Sequence, residues 1–412
     1  MSTQLADLHT KGLLDQTLVI LGTEFDRTWI NDDDGFITLH QVIPPEQLGP
    51  LRDSYGILVE RRGGDAWLDS GAQPRLEANA LIDESTANAV EIWLHENTLG
   101  VARQLLCVPE SAVANMWCMC SPLRDHGPHG WHRDIHPIDM APLRVLQDSL
   151  LSNGPVYVQW NIALYDDDVL WVVPGSHRRF NTEAENGCLR ENPLAPLPGG
   201  TPVKLKAGDG VVYSNYLLHW GSNYSRKLRR TLHGGHTIFP YYPDLSFTRF
   251  LSSNARRMFE QWDEQSVSKQ DATESALRAI LSRDETAYRL ALGVLQPGAD
   301  DNAQLMLTVY LCKAVYVMWI LLHPDAENVP EQANIRASDT HAISLIWGSP
   351  FADRFATSDV EALWNRFGPL EAKLKADTPQ LVPGFQDGTI PYYFEDLADP
   401  YSVDAFIATW NA

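Results

Sequence analysis

Two imidazoles and one carboxylate set the chemistry open to this chain. Gly130-Trp131-His132-Arg133-Asp134 carries a His-x-Asp pair, and 85 residues after Asp134 comes His219, within Leu218-His219-Trp220-Gly221. On an extended segment, residues two apart point to the same side. His132 and Asp134 would then aim a nitrogen and an oxygen at one point, with Arg133 facing away. His219 completes a set of two His and one carboxylate, which holds one face of a ferrous ion. The other positions stay open for dioxygen and a bidentate 2-oxo acid. Ten residues beyond His219 a strand opens with Arg229 and Arg230. The far carboxylate of such a co-substrate needs a bidentate cation on a rigid element, which favours Arg over Lys. Only one of the two can face inward.

Plainer readings of the same residues exist. A lone His-x-Asp is common and can be a surface ion pair. His126, His129 and His136 crowd the same loop, and Asp134 with His136 also has the two-residue spacing. Gln159, Asn161 and Tyr213 either point at a co-substrate or substrate or simply alternate with core residues. Pro174-Gly175-Ser176-His177 reads as a structural turn and Trp131 as packing. Asp166-Asp167-Asp168 reads as a solvated acidic loop, and Cys118 and Cys120 as buried apolar residues.

The elements that must position these groups change character along the chain. Residues 1–33 read as peripheral helix, followed by a β-rich run from Phe36 to Leu39 and a helix opened by Pro44-Pro45-Glu46. Residues 60–80 read as loop, and Ser85 to Leu106 carries a helical period. The period then falls to two. Ala112–Cys120, Val156–Leu164, Leu170–Val173, Pro202–Leu205, Val211–Leu218 and Arg229–Phe239 read as strands, with His219 at the end of the fifth. Ala207-Gly208-Asp209 gives a hairpin signal between Pro202–Leu205 and Gly210–Tyr213. Short strands with Gly and Pro punctuation predict an α+β fold, with a double-stranded β-helix (a cupin-like jelly roll) as its core. Past Tyr242 the segments 247–262, 273–282, 284–295, 303–322 and 360–376 read as helices. The expected division is a mainly helical flank over 1–110 that lends a strand to the core, a catalytic core over 111–244, and a helical region over 245–412.

Bulk properties narrow the partners. A formal charge of −21 over 412 residues argues against nucleic acid and anionic membrane surfaces. It favours a neutral or cationic small molecule. Five cysteines without a CxxC pair suggest neither a zinc ribbon nor a disulfide framework, so a reducing cytoplasm is the default. Leu305 to Leu322 reaches transmembrane length, but Lys313 in its middle and acidic flanks predict a buried core helix.

Taken as an ordered set, these residues resemble the phytanoyl-CoA dioxygenase-like (PhyH) family of iron(II)/2-oxoglutarate oxygenases. The resemblance rests on Asp34-Gly35-Phe36-Ile37, Trp131-His132-Arg133-Asp134, Val172-Val173-Pro174-Gly175-Ser176-His177, Ala207-Gly208-Asp209-Gly210, and His219 followed by Asn223 and Arg229. It spans roughly residues 33 to 240. It implies His132, Asp134 and His219 as ligands of Fe(2+), and Arg229, six after Asn223, as the residue that grips 2-oxoglutarate. Halogenating relatives replace the carboxylate with a small residue, so Asp134 implies hydroxylation or another oxidative outcome (desaturation, epoxidation or ring formation) rather than halogenation, with release of succinate and carbon dioxide. Gln159 and Asn161 are the further candidates for cofactor contact. The helical tail lies outside the pattern and reads as a lid or a homodimer face. Two other classes compete: a cupin-type metal enzyme using no 2-oxo acid, and a jelly-roll binding protein without catalysis.

Overall fold

The computed structural model describes residues 34–134, 142–222, 227–323, 351–374, 380–381, 389–390 and 401–411. The helical reading of residues 1–33, His136 and Asn223 lie outside the described residues. Two antiparallel sheets position the site. The larger has the order β1-β7-β4-β9-β3-β2, built from β1 (Phe36–Leu39), β2 (Arg75–Glu77), β3 (Ala112–Cys120), β4 (Tyr157–Ala163), β7 (Gly210–Tyr213) and β9 (Arg230–Thr237). The smaller has the order β6-β5-β8, from β5 (Leu170–Val172), β6 (Thr201–Pro202) and β8 (His219–Gly221).

Alternation on β4 explains why the large sheet has two different faces. Val158, Trp160 and Ile162 point outward into one apolar core shared with the helices. Gln159, Asn161 and Ala163 point inward, opposite Gly235, His233 and Thr231 of β9. The inner faces of the two sheets meet through Ala163, Leu170, Val172, Val211 and Tyr213. A bulge in β3 between Val113 and Met116 presses the backbone onto β9. A Cβ on Gly234 would lie 1.9 Å from the Asn115 carbonyl oxygen, so only glycine fits there.

Several sequence expectations are corrected. The turn at 207–209 is no hairpin: β6 pairs with β5, whereas β7 pairs with β4 and β1, so the chain crosses between sheets there. Nor does His219 end a strand running from Val211. β7 stops at Tyr213, and His219 opens β8 in the other sheet. Residues 60–80 are not all loop, because helix α1 (Pro45–Arg62) runs into them, a short helix covers Gly64–Leu68, and β2 forms the sheet edge. Ser85–Leu106 breaks into short α, 3-10 and π turns rather than one helix. Helices α2 (Leu143–Asn153) and α3 (Glu183–Glu191) were not read from the sequence.

Behind the large sheet stand α4 (Ser253–Ser282), α5 (Glu285–Leu295), α6 (Asp301–Leu322) and α7 (Thr357–Leu374). α4 is a single 30-residue helix where two were expected. α6 is long and apolar enough to cross a membrane, but 78% of its apolar window is buried within the protein. Lys313 at its centre is buried and meets Glu371 of α7 at 2.6 Å.

Candidate metal centre

His132 and His219 are brought together by backbone pairing. The His132 N–H donates to the His219 carbonyl at 2.9 Å, and the His219 N–H returns the bond at 2.8 Å. Residues directly opposite in an antiparallel bridge project side by side, and the two rings lie 4.1 Å apart between centroids. Asp134 sits two residues on, its backbone clamped to Asn215. Its N–H donates to the Asn215 carbonyl at 2.8 Å, and Asn215 Nδ2 donates to the Asp134 carbonyl at 2.8 Å. Its carboxylate oxygens lie 3.6 Å from His132 Nε2 and 3.3 Å from His219 Nε2.

The donor set suits a ferrous ion. His132 Nδ1–H donates to the Gly130 carbonyl at 3.0 Å, and His219 Nδ1–H to the Leu217 carbonyl at 2.8 Å. Each bond fixes a tautomer whose Nε2 lone pair faces the carboxylate, as imidazole metal ligands require. All three donor atoms lie within 4.8 Å of one another, and this is the only such group of three or more among the described residues. Burial, then the neighbouring His219 ring, pulls the His132 pKa down to about 3, so its lone pair is available at neutral pH.

The surrounding groups hold this arrangement. Gln159 Nε2 donates to Asp134 Oδ2 at 2.6 Å and to the Tyr213 hydroxyl oxygen at 2.8 Å. Arg133 faces away, as expected, and is buried. Its guanidinium donates to the carbonyls of Tyr216, Ser176 and Arg179 and to Asn181 Oδ1. Ser176 Oγ accepts from the Leu218 N–H, so the Pro174–His177 turn braces the approach to His219. Trp131 is buried and stacks on Trp220 at 5.3 Å.

Of the two arginines, Arg229 is the buried one, at 4% exposure, and Arg230 is half-buried. Arg229 Nε donates to Asp167 Oδ2 at 2.8 Å, inside the protein. This overturns the reading of 166–168 as a solvated loop. Asp166 pairs with Lys206 and Asp168 with Lys227 at the surface, while Asp167 turns inward. Burial alone would raise the Asp167 carboxyl. Arg229, the Thr231 hydroxyl and the Val169 N–H outweigh it and hold the group below its usual range. Asn161 accepts at Oδ1 from His233 Nδ1–H at 2.7 Å. His126 and His129 are not part of the three-donor group. His129 packs edge-on against His132 at 5.5 Å.

His233 was missed in the sequence. It lies on β9, two strand positions beyond Thr231, so alternation from an inward Arg229 would have found it.

Residues 31–231 match the family model described as Phytanoyl-CoA dioxygenase (PhyH). No curated protein sequence matches the chain. Among solved structures, EctD from S. alaskensis in its apoform is 15% identical, covering 56% of this chain and 83% of its own, at a TM-score of 0.39. HygX from Streptomyces hygroscopicus is 16% identical, covering 52% and 87%, at 0.39. The carbocyclase SnoK from nogalamycin biosynthesis is 18% identical, covering 55% and 88%, at 0.39. All three are distant likenesses.

Proposed function

Because residues 31–231 belong to the phytanoyl-CoA dioxygenase (PhyH) family of iron(II)/2-oxoglutarate oxygenases, we propose that this chain oxidises a C–H bond of a small molecule, hydroxylation being the simplest outcome. A compound of secondary metabolism is the substrate we favour, and the retained Asp134 speaks for hydroxylation over halogenation. The observation that carries the reading is the convergence of His132 Nε2, His219 Nε2 and the Asp134 carboxylate. We read the paired sheets as a double-stranded β-helix, with residues 111–244 as its catalytic unit. The helices after residue 245 would cover its outer face and, on their exposed side, offer a surface for self-association.

Iron(II) with 2-oxoglutarate and dioxygen supplies the oxidising chemistry, with succinate and carbon dioxide as co-products. The chain's own groups prepare for it. His132 and His219 present fixed Nε2 lone pairs because their Nδ1–H groups are tied to backbone carbonyls. Gln159 holds the Asp134 carboxylate in place, so it need not reorient when it takes up a cation. Arg229 is the cation that would receive the far carboxylate of 2-oxoglutarate, and Asp167 fixes its guanidinium through Nε. Gln159 belongs beside the cofactor. Asn161, turned toward His233, belongs to the substrate side of the same face.

The test is turnover of 2-oxoglutarate to succinate by the iron-loaded protein, compared with Asp134→Ala and Arg229→Ala. Loss of turnover in both, with iron still bound by Arg229→Ala, supports the reading. Turnover that is indifferent to Arg229 would favour a metal enzyme using no 2-oxo acid.

A further inference from the structure

Beyond the metal centre, the inner face of the large sheet carries, around Asn161, a row of groups that the metal centre does not use. Trp117 of β3 and His233 of β9 are direct cross-strand partners. Their rings run nearly parallel, 25° between planes and 6.3 Å between centroids. Trp117 is half-buried, yet it belongs to none of the three apolar clusters of the protein. A large aromatic on an inner face that packs into no core is a wall waiting for a guest.

Polar groups frame this wall. His233 is 8% exposed, and its Nδ1–H is committed to Asn161 Oδ1. Its Nε2, the acceptor of that tautomer, has no partner among the described residues. Arg75 of β2 holds its guanidinium 5.9 Å from the Trp117 ring centroid and donates only to Gln73 Oε1 at 3.2 Å. No carboxylate pairs with it among the described residues; Glu77, the β2 residue directly across from Trp117, leaves Arg75 without an ion pair. Asn161 ties the patch to the metal cluster along β4: it accepts from His233, and Gln159, two residues back on the same inward face, donates to Asp134.

We infer that Arg75, Trp117, His233 and Asn161 form the substrate subsite, and that it takes a planar, unsaturated group bearing a single carboxylate. The flat body lies on Trp117 and His233, and the carboxylate meets the Arg75 fork at the rim. His233 Nε2 accepts a hydrogen bond from a hydroxyl or N–H of the same molecule. The inference rests on the oxygenase reading of the metal centre. It also refines the charge argument, since the long-range field of a −21 chain disfavours polyanions while one local arginine matches one carboxylate.

The experiment is calorimetric titration, under nitrogen, of protein loaded with iron(II) and 2-oxoglutarate. The probes are benzoate, 2-naphthoate and indole-3-carboxylate, each against its primary amide. A bidentate Arg contact predicts that at least one acid binds about tenfold more tightly than its amide. Arg75→Gln removes that preference, Arg75→Lys restores part of it, and Trp117→Leu weakens acid and amide alike. Thermal melts confirm that each variant is folded. The inference is overturned if no acid binds, if amides bind as well as acids, or if Arg75→Gln keeps the preference. Displacement of the acid by further 2-oxoglutarate overturns it too, because the acid then occupies the co-substrate position. Failure to load iron(II) and 2-oxoglutarate sinks the oxygenase reading instead, and the acid-over-amide preference of the unloaded protein then tests the subsite alone.

Discussion

Gln159 and Asp134 share a 2.6 Å hydrogen bond in which the amide nitrogen donates to the carboxylate oxygen nearest His219 Nε2. The same nitrogen donates to Tyr213, so the carboxylate is anchored to the inner face of two strands. Groups that orient a metal-binding carboxylate contribute about 10- to 100-fold in metal affinity. Gln159→Leu is therefore expected to weaken iron(II) binding by about that factor. Anaerobic titration against a competing chelator measures it, and an unchanged affinity would show that Asp134 needs no support.

The Asp167–Arg229 pair is buried on both sides, at 5% and 4% side-chain exposure. Removing one partner of such a pair strands a charge and costs about 3–5 kcal/mol. Asp167→Ala should lower the urea midpoint accordingly, with Asp167→Asn less severe because it keeps a hydrogen-bond acceptor for Arg229. The folded Asp167 carboxyl sits below its unfolded value of about 3.9. Its contribution is thus fully present above that value and is lost as pH falls through the folded pKa. If Asp167→Ala unfolds at the wild-type urea concentration, the pair is dispensable.

His236 is fully buried, donates from Nε2–H to the Trp93 carbonyl at 3.0 Å, and has its pKa lowered to about 4, mainly by burial. His233 is lowered to about 3 for the same leading reason. An unfolded histidine titrates near about 6.5. Between that value and the folded pKa the unfolded chain binds more protons, so stability drops as pH falls from about 6.5 toward 4. Urea midpoints at pH 7.5 and 5.0 should differ, and less so in His236→Gln. Equal midpoints in the wild type would refute this.

Lys313 and Glu371 join α6 to α7 through a buried ion pair. Lys313→Met alone is expected to cost about 3–5 kcal/mol, and the double replacement with Glu371→Leu to recover most of it. A double-mutant cycle by urea unfolding measures the coupling. Strict additivity would mean the two charges act independently.

Much of the site was legible because its grammar is local. The His132-x-Asp134 spacing, the alternation of Gln159 and Asn161 with Val158, Trp160 and Ile162, and the Pro44-Pro45 helix start all follow from short-range rules. What escaped depends on pairing across the chain. β8 is three residues long, so Val211 to His219 reads as one strand until the pairing shows a switch of sheet. The three aspartates 166–168 look alike in sequence, and only the cation each one meets separates them. β2 is short and lies in a Gly- and Asp-rich stretch, so nothing local marks Arg75 as a neighbour of Trp117. α3 was detectable, since Thr182 and Glu185 form a capping box.

The central claim is that His132, Asp134 and His219 bind iron(II) beside an arginine that receives 2-oxoglutarate. The most direct test adds iron(II) and then 2-oxoglutarate to the protein without oxygen and follows the visible absorption band of a chelated 2-oxo acid. The band should appear in the wild type, vanish in His219→Ala because iron is lost, and need much more 2-oxoglutarate in Arg229→Ala while iron stays bound. Iron binding with no band at any 2-oxoglutarate concentration would contradict the account.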